Sequence, residues 1–413
     1  MKLIIEPSQA AGVVTAPPSK SMAHRQLIAA ALGEAPSRVQ NLAWSEDILA
    51  TLDCLQALGA RVEREKNAAV LWGLDPFAVR DDTVLPCRES GSTLRFLIPL
   101  ALLSGRTVRF TGSERLLERP LEPYEQICAA QRLYYNRQRD CLTLRGPIRS
   151  DEFALTGDLS SQFVTGMLYA LPFLSEPSRL VVQPPVESSS YIGMTLAVLR
   201  NFGIRVVSVG VNRFHVPACQ KYRPHPVTVE GDWSNAAFLE ALNFLGGRLR
   251  IKGLDELSPQ GDKVFRSLTA KLSQKKPVMD LSDCPDLAPI LMALAAAGRG
   301  AVFTGTGRLR YKESDRGAVM AQELAKLGVQ AVADEDRIWV ENAALHRPAE
   351  PLDSHNDHRI AMALTVLLSL VGGELTGAEA VRKSWPEFYD VLRSLGILIR
   401  SPEEEAHEDG SGI

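Results

Sequence analysis

PPSKSMAHRQLIAAAL, residues 17–32 of a 413-residue chain, is the stretch whose reading decides the fold. From Leu27 onward it is apolar on every side, the pattern of a helix buried all round. Its first turns nevertheless carry Lys20, Ser21, His24 and Arg25. A helix N-terminus presents unpaired backbone N–H groups and a partial positive charge, so it favours acidic side chains over basic ones. An anion held jointly by the helix end and the basic side chains resolves the conflict.

The arrangement recurs. A polar start, an apolar helix and a Gly or other turn signal reappear in ESGSTLRFLIPLALLSG from 89, GDLSSQFVTGMLYALPFL from 157 and GDWSNAAFLEALNFLGG from 231. DCPDLAPILMALAAAGRG from 283 and NDHRIAMALTVLLSLVGG from 356 complete the set. The starts lie roughly 50–75 residues apart, longer than the usual solenoid period. Short strand-like stretches follow, as in RTVRFTG, GRLRIKG, GAVFTGTG and GELTGAE. A second, amphipathic helix comes next and closes alike in LQALGARV, LRNFGIRV, LAKLGVQA and LRSLGILI. Gly after the last apolar residue stops a helix, and the β-branched residues beyond it start a strand. The stretches near 120–145 and 262–280 lack this ending. Six helix–strand–helix–strand units grouped three and three give two domains of about 200 residues, an ordinary size. The junction falls in QKYRPHPVTVEG, residues 220–231, where Pro224 and Pro226 oppose a continuing helix.

Composition narrows the function. Hydrophobic residues make up 45% and charged residues 23%, as in a soluble globular protein. The net charge of −3 supplies no global field for nucleic acid or an anionic membrane, so an anion site must be a local basic cluster. The six cysteines are scattered, without CxxC spacing, and read as reduced thiols of a cytoplasmic protein. MKLIIEPSQA is too short and too quickly polar for a signal peptide. The acidic tail, residues 401–413, reads as disordered.

The polar residues gather at the repeated helix starts. If the units pack side by side those starts face one way, and two such faces opposed across a hinge make a cleft suited to anions. Lys20, Arg25, Arg95, Arg119, Lys312, Arg316, Arg359 and Lys383 supply charge there, with Ser21, Ser160, Ser161, Gln162 and Ser188 as further donors. LRYKESDRG places Lys312 and Arg316 at i, i+4 on one helix face, with Glu313 turned elsewhere. Asp286 opens a helix in DCPDLAP, and Asp357, His358 and Arg359 open another in NDHRIAM. No metal set is evident, and no GxxxxGK[ST] or strand–GxGxxG–helix supports a nucleotide cofactor.

PSKSMAHR, SGSTLRF, SSQF, CPDLAP, KESDR, NDHRIAM and KSWPEF stand in the order found in the 5-enolpyruvylshikimate-3-phosphate synthases, which the chain resembles over about residues 2–400. The resemblance implies an α/β fold of two similar domains, each of three βαβαββ-type units forming an inside-out α/β barrel, with the active site in the inter-domain cleft. Residues 17–224 would form the shikimate 3-phosphate side, and residues 1–16 with 225–400 the phosphoenolpyruvate side. It further implies transfer of an enolpyruvyl group from phosphoenolpyruvate to the 5-hydroxyl of shikimate 3-phosphate, in aromatic amino-acid biosynthesis. Neither cofactor nor metal is implied, nor a nucleic-acid or membrane partner, and the catalyst is expected to be a monomer. Carried over, Lys20 touches both substrates. Ser21, Arg25, Ser160, Ser161, Gln162, Ser188 and Lys312 hold shikimate 3-phosphate. Asp286 serves the 5-hydroxyl and Glu313 delivers a proton to the methylene. Gly91, Arg95, Arg119, Arg316, His358, Arg359 and Lys383 enclose phosphoenolpyruvate, with Gln162 also reaching it. ESGS departs from the family's commoner NAGT, placing Glu89 where an Asn can contact phosphoenolpyruvate, and Arg308 stands where some relatives have Asn. Retention of Gly91 implies sensitivity to glyphosate. The rival acceptor is UDP-N-acetylglucosamine, although GSERLLERPLEP lacks the cysteine that family often carries. A non-catalytic anion-binding protein would need the basic residues but neither Asp286 nor Glu313.

Overall fold

The computed structural model describes residues 1–274 and 276–402, so the tail reading lies outside the described residues from 403 onward. The chain forms two compact units, Pro18–Glu230 and Met1–Pro17 with the chain from Gly231 onward. The second crossing comes after Glu230, beyond the prolines that mark it in the sequence. Val227–Thr228 is a strand paired in parallel with Val39–Gln40, which ties it to the first unit. Asp232 N–H donates to the Pro17 carbonyl at 2.7 Å, which ties Pro17 to the other.

One sheet pattern recurs five times: a parallel pair, then two antiparallel partners. Thr83–Pro86 runs parallel to Thr107–Thr111, which pairs antiparallel with Cys141–Arg145, itself paired with Tyr134–Arg137. The helix Gly91–Ala101 crosses between the parallel strands, and the helix Glu122–Ala130 leads into the hairpin. A parallel pair needs such a crossover, whereas an antiparallel pair closes through a short turn. In the other unit Lys2–Glu6 lies between Gly373–Thr376 and Leu398–Arg400. Ala11–Thr15 with Arg248–Lys252 forms the sixth sheet, of two strands only. The missing ending near 262–280 thus corresponds to a missing hairpin, but the stretch near 120–145 keeps its hairpin. There Arg132 takes the left-handed conformation, φ 57°, that Gly59 supplies in LQALGARV.

The first helix of each unit is the buried one. Met22–Ala31 of the helix Lys20–Ala31 are all buried, as are Ala288–Ala296 of Ala288–Ala297 and His358–Ser369 of His358–Val371. Each set lies within its own unit's core. Caps define five of the six starts. Ser19, Ser90, Ser160, Asp232 and Asp357 accept from backbone N–H groups in their own first turns. The sixth begins through a 3₁₀ turn, Pro285–Leu287, that carries Asp286. Close approach fixes the helices laterally. A Cβ on residue 166 would meet the Arg95 carbonyl and the Tyr124 hydroxyl at 2.4 Å each, so only glycine lets Ser161–Ala170 lie this near Gly91–Ala101. Among the described residues no helix is long and apolar enough to cross a membrane.

Candidate active site

In the unit Pro18–Glu230 the helix starts gather cations and hydroxyl donors. Lys20 is the first helical residue, and its Nζ lies 2.6 Å from Oδ2 of Asp47. Asp47 sits in the first turn of Glu46–Ala57, where a carboxylate is favoured in any case. The sequence offers no other signal for it, and that reading missed it. Arg25 is 2% exposed, and its guanidinium is largely engaged by the fold. Nε donates to Thr195, Nη1 to the Ser21 carbonyl, and Nη2 to Thr165 and the Tyr191 carbonyl, while the cation lies 5.1 Å from the Phe96 ring centroid. Arg25 therefore ties three helices together, a duty its place in a polar helix start did not disclose.

Arg95 and Arg119 converge on the next start. Nη1 of Arg95 donates to Gln162 Oε1 at 2.8 Å, and Gln162 Nε2 donates to Ser92 Oγ at 3.0 Å. A Cβ on residue 91 would lie 2.8 Å from Arg119 Nη1 and 3.4 Å from Arg95 Nη1. Two buried guanidinium groups therefore crowd over Gly91, the first residue of a helix capped by Ser90. Like charges so placed at the positive end of a helix are electrostatically costly alone, and an anion among them offsets that cost. Ser160 and Ser161 open the helix that carries Gln162, and Ser188 precedes Ser189–Asn201 with φ 54°. This left-handed conformation is uncommon for a residue with a side chain.

In the other unit the acids meet. Lys312 and Arg316 do not share a helical face: Lys312 ends the 3₁₀ turn Gly307–Tyr311, and the helix begins at Arg316. Both nevertheless reach Oδ1 of Asp286, at 3.1 and 2.8 Å. Arg316, 1% exposed, spreads across three carboxylates. Nη1 donates to Asp286, Nη2 to Glu313 at 2.8 Å, and Nε to Asp357 at 2.8 Å. Arg359 Nη2 lies 3.6 Å from Asp286 Oδ2, and Nη1 donates to Asn235 Oδ1 at 3.2 Å. His358 Nδ1 is 3.9 Å from Asp357 Oδ1, and Lys383 Nζ donates to the Asn356 carbonyl at 2.5 Å. Arg308 is buried and donates to the Ser282 carbonyl.

These charges set the protonation states. Burial raises the pKa of Asp286, but Lys312, Arg359 and Arg316 more than offset it and hold the carboxyl well below its usual range. Burial lowers Lys312, and the Asp286 charge opposes that shift only in part. Arg316 is raised despite burial, by Asp357, Glu313 and Asp286. Asp262, which the sequence reading passed over, belongs to the same group. It is 2% exposed and accepts from Ser234 Oγ. Burial and the nearby Asp286 charge push it up to about 7, against the Ser234 hydrogen bond and Arg359. The folded state thus holds a proton there between about pH 4 and about pH 7 that the unfolded chain has released, so this group's contribution to stability falls as pH rises through that window. Asp262→Asn abolishes the ionisation. Its Tm relative to the parent is expected to rise between about pH 5 and about pH 8, as read by thermal denaturation.

Among the described residues no group of His, Cys, Asp and Glu is arranged to hold a metal ion. The two sets are phosphate-type cations at helix starts in one unit and cation-organised carboxylates in the other.

The chain is similar to known proteins over most of its length. A family model described as EPSP synthase (3-phosphoshikimate 1-carboxyvinyltransferase) matches residues 4–392. A 3-phosphoshikimate 1-carboxyvinyltransferase of Clostridium kluyveri is 38% identical, over 95% of this chain and 96% of its own. One from Clostridium acetobutylicum is 37% identical, with the same coverage. An EPSP synthase structure from Acinetobacter baumannii superposes with a TM-score of 0.78 at 23% identity, covering 97% of this chain and 99% of that one. The enolpyruvyl transferase NikO of Streptomyces tendae superposes with a TM-score of 0.77 at 17% identity, covering 97% and 98%, a likeness of fold. Matched over nearly its whole length, the chain belongs to the EPSP synthase family.

Proposed function

We propose that the chain transfers the enolpyruvyl group of phosphoenolpyruvate to the 5-hydroxyl of shikimate 3-phosphate, releasing phosphate. The observation that carries this reading is the pair of carboxylates, Asp286 and Glu313, organised by one buried arginine. Asp357, wholly buried, serves Arg316 as a structural charge partner, whereas Asp286 and Glu313 stay partly exposed, as groups that exchange protons with a substrate must. Family membership supplies the substrates.

The chemistry is an addition followed by an elimination. The 5-hydroxyl oxygen bonds to C2 of phosphoenolpyruvate as Asp286 accepts its proton, and the methylene carbon takes a proton from Glu313. The C2–O bond to phosphate then breaks with its electron pair leaving on phosphate, and the methyl group returns a proton to the Glu313 carboxylate, which restores the double bond. Lys20, which pairs with Asp47, supplies a cation to both substrates. Ser21, Arg25, Ser160, Ser161, Gln162, Ser188 and Lys312 serve shikimate 3-phosphate. Gly91, Arg95, Arg119, Arg316, His358, Arg359 and Lys383 serve phosphoenolpyruvate, with Gln162 shared. Arg25 and Arg316 act mainly by positioning, since their N–H groups are largely committed to Thr195, Thr165 and backbone oxygens in one case and to carboxylates in the other.

Gly91→Ala tests the guanidinium pocket. The added methyl displaces Arg119 or Arg95, the far ends of flexible side chains, and weakens one charge-assisted hydrogen bond worth about 1.5–3 kcal/mol. KM for phosphoenolpyruvate is expected to rise roughly 10- to 100-fold in steady-state kinetics, with KM for shikimate 3-phosphate little changed. The acceptor is tested by following phosphate release from phosphoenolpyruvate with shikimate 3-phosphate or UDP-N-acetylglucosamine. Release with shikimate 3-phosphate alone supports the reading. Release with the nucleotide sugar alone overturns the acceptor, and release with neither favours a binding protein.

A further inference from the structure

Upstream of Asp357 the backbone is left-handed twice in succession, at His355 with φ 49° and Asn356 with φ 55°. Residues with side chains seldom take this conformation even singly, and it persists where surrounding contacts over-determine it. Those contacts converge on Glu323, whose side chain is fully buried. Its Oε1 accepts from His355 Nε2 at 2.9 Å and from Lys326 Nζ at 3.0 Å. Its Oε2 accepts from the Asp353 backbone N–H at 3.0 Å and from Lys326 Nζ at 2.9 Å. Asp353 Oδ1 in turn accepts from the His355 N–H at 2.7 Å, and Ser354 Oγ from the Asn356 N–H at 3.2 Å.

What this turn carries gives it a consequence. The Asn356 carbonyl receives Lys383 Nζ, and the next three residues are Asp357, His358 and Arg359. Glu323 lies seven residues beyond Arg316 on the helix Arg316–Lys326, so both share one face about 10 Å apart. Arg316 grips Asp357 and Glu323 grips the turn before it. One helix face therefore holds the segment at two points.

We propose that Glu323, with His355, is a positioning pair that sets the phosphoenolpyruvate-binding geometry of Lys383, His358 and Arg359. Neither residue touches substrate; they act by fixing the turn. The inference rests on the enolpyruvyl-transfer reading above. It adds two residues that chain position does not mark, because Glu323 sits mid-helix and His355 precedes the polar start.

The test is steady-state phosphate release with separate KM values for the two substrates, in Glu323→Gln, His355→Leu and His355→Gln. Glu323→Gln and His355→Leu are expected to raise KM for phosphoenolpyruvate about 10-fold or more, with KM for shikimate 3-phosphate changing less than about twofold. His355→Gln retains an N–H donor and is expected to restore KM for phosphoenolpyruvate to within about threefold of the parent. A purely structural loss would lower the active fraction, and so kcat, while leaving both KM values alone. If Glu323→Gln fails to fold, the two His355 variants carry the test, since His355 is part-exposed and contributes a single side-chain bond. Unchanged KM values, a parallel rise in both, or equal effects of Leu and Gln at 355 would overturn the proposal. A parent protein that releases no phosphate would instead overturn the enolpyruvyl-transfer reading.

Discussion

Asp286→Asn is expected to lower kcat by about 10²- to 10⁴-fold, the range supplied by a positioned acid–base group. Shikimate 3-phosphate binding, followed by calorimetry, should change much less. The direction follows from the charges. Asp286 has Lys312 and Arg316 on one oxygen and Arg359 near the other. A carboxylate held so far below its usual pKa is a poor proton acceptor, and its strength returns only as those cations turn to other anions. The substrates bring such anions. If Asp286 is the base, phosphate groups that draw Lys312 and Arg359 away would raise its pKa and couple binding to base activation. Asn keeps the shape and loses the charge and the basicity. Turnover within a few-fold of the parent would remove Asp286 from the proton path.

Arg316→Met is expected to destabilise the fold by about 3–5 kcal/mol, the cost of leaving one side of a buried ion pair uncompensated. Arg316 is 1% exposed and lies between Asp286, Glu313 and Asp357, the last of them wholly buried. Methionine fills similar space but leaves three acids without their shared cation. Asp286 would lose one of the cations that hold its carboxyl below its usual range. Denaturation in urea should show the loss at neutral pH, and it should shrink as the acids protonate at low pH. A midpoint unchanged at neutral pH would mean that Lys312 and Arg359 compensate the acids without Arg316.

The sequence discloses most of the frame because the frame is repeated. Six polar helix starts, each followed by an apolar helix, lie where the structure has six buried or nearly buried first helices. The cations at those starts were visible because basic residues there contradict the helix dipole. What stayed hidden was hidden for physical reasons. Lys312 and Arg316 look helical at i, i+4, yet a 3₁₀ turn ends just before Lys312, and only the fold shows that both meet Asp286. Asp47 stands where any helix tolerates an acid, so its pairing with Lys20 leaves no trace in the chain. Asp262 and Glu323 are buried carboxylates with partners 28 and 32 residues away, at Ser234 and His355, and the neighbouring Lys326 makes Glu323 look like an ordinary i, i+3 helix pair. Arg25 shows the converse, a basic residue at a helix start that is mostly bound by the fold itself.

The measurement that tests the account most directly follows the bridging oxygen of phosphoenolpyruvate. With ¹⁸O between C2 and phosphorus, addition at C2 and elimination of phosphate break the C2–O bond. The account predicts that phosphate released in the presence of shikimate 3-phosphate carries the label and that the enolpyruvyl product does not. Unlabelled phosphate, with the label kept on the carbon product, would place the cleavage at phosphorus. It would contradict enolpyruvyl transfer through Asp286 and Glu313.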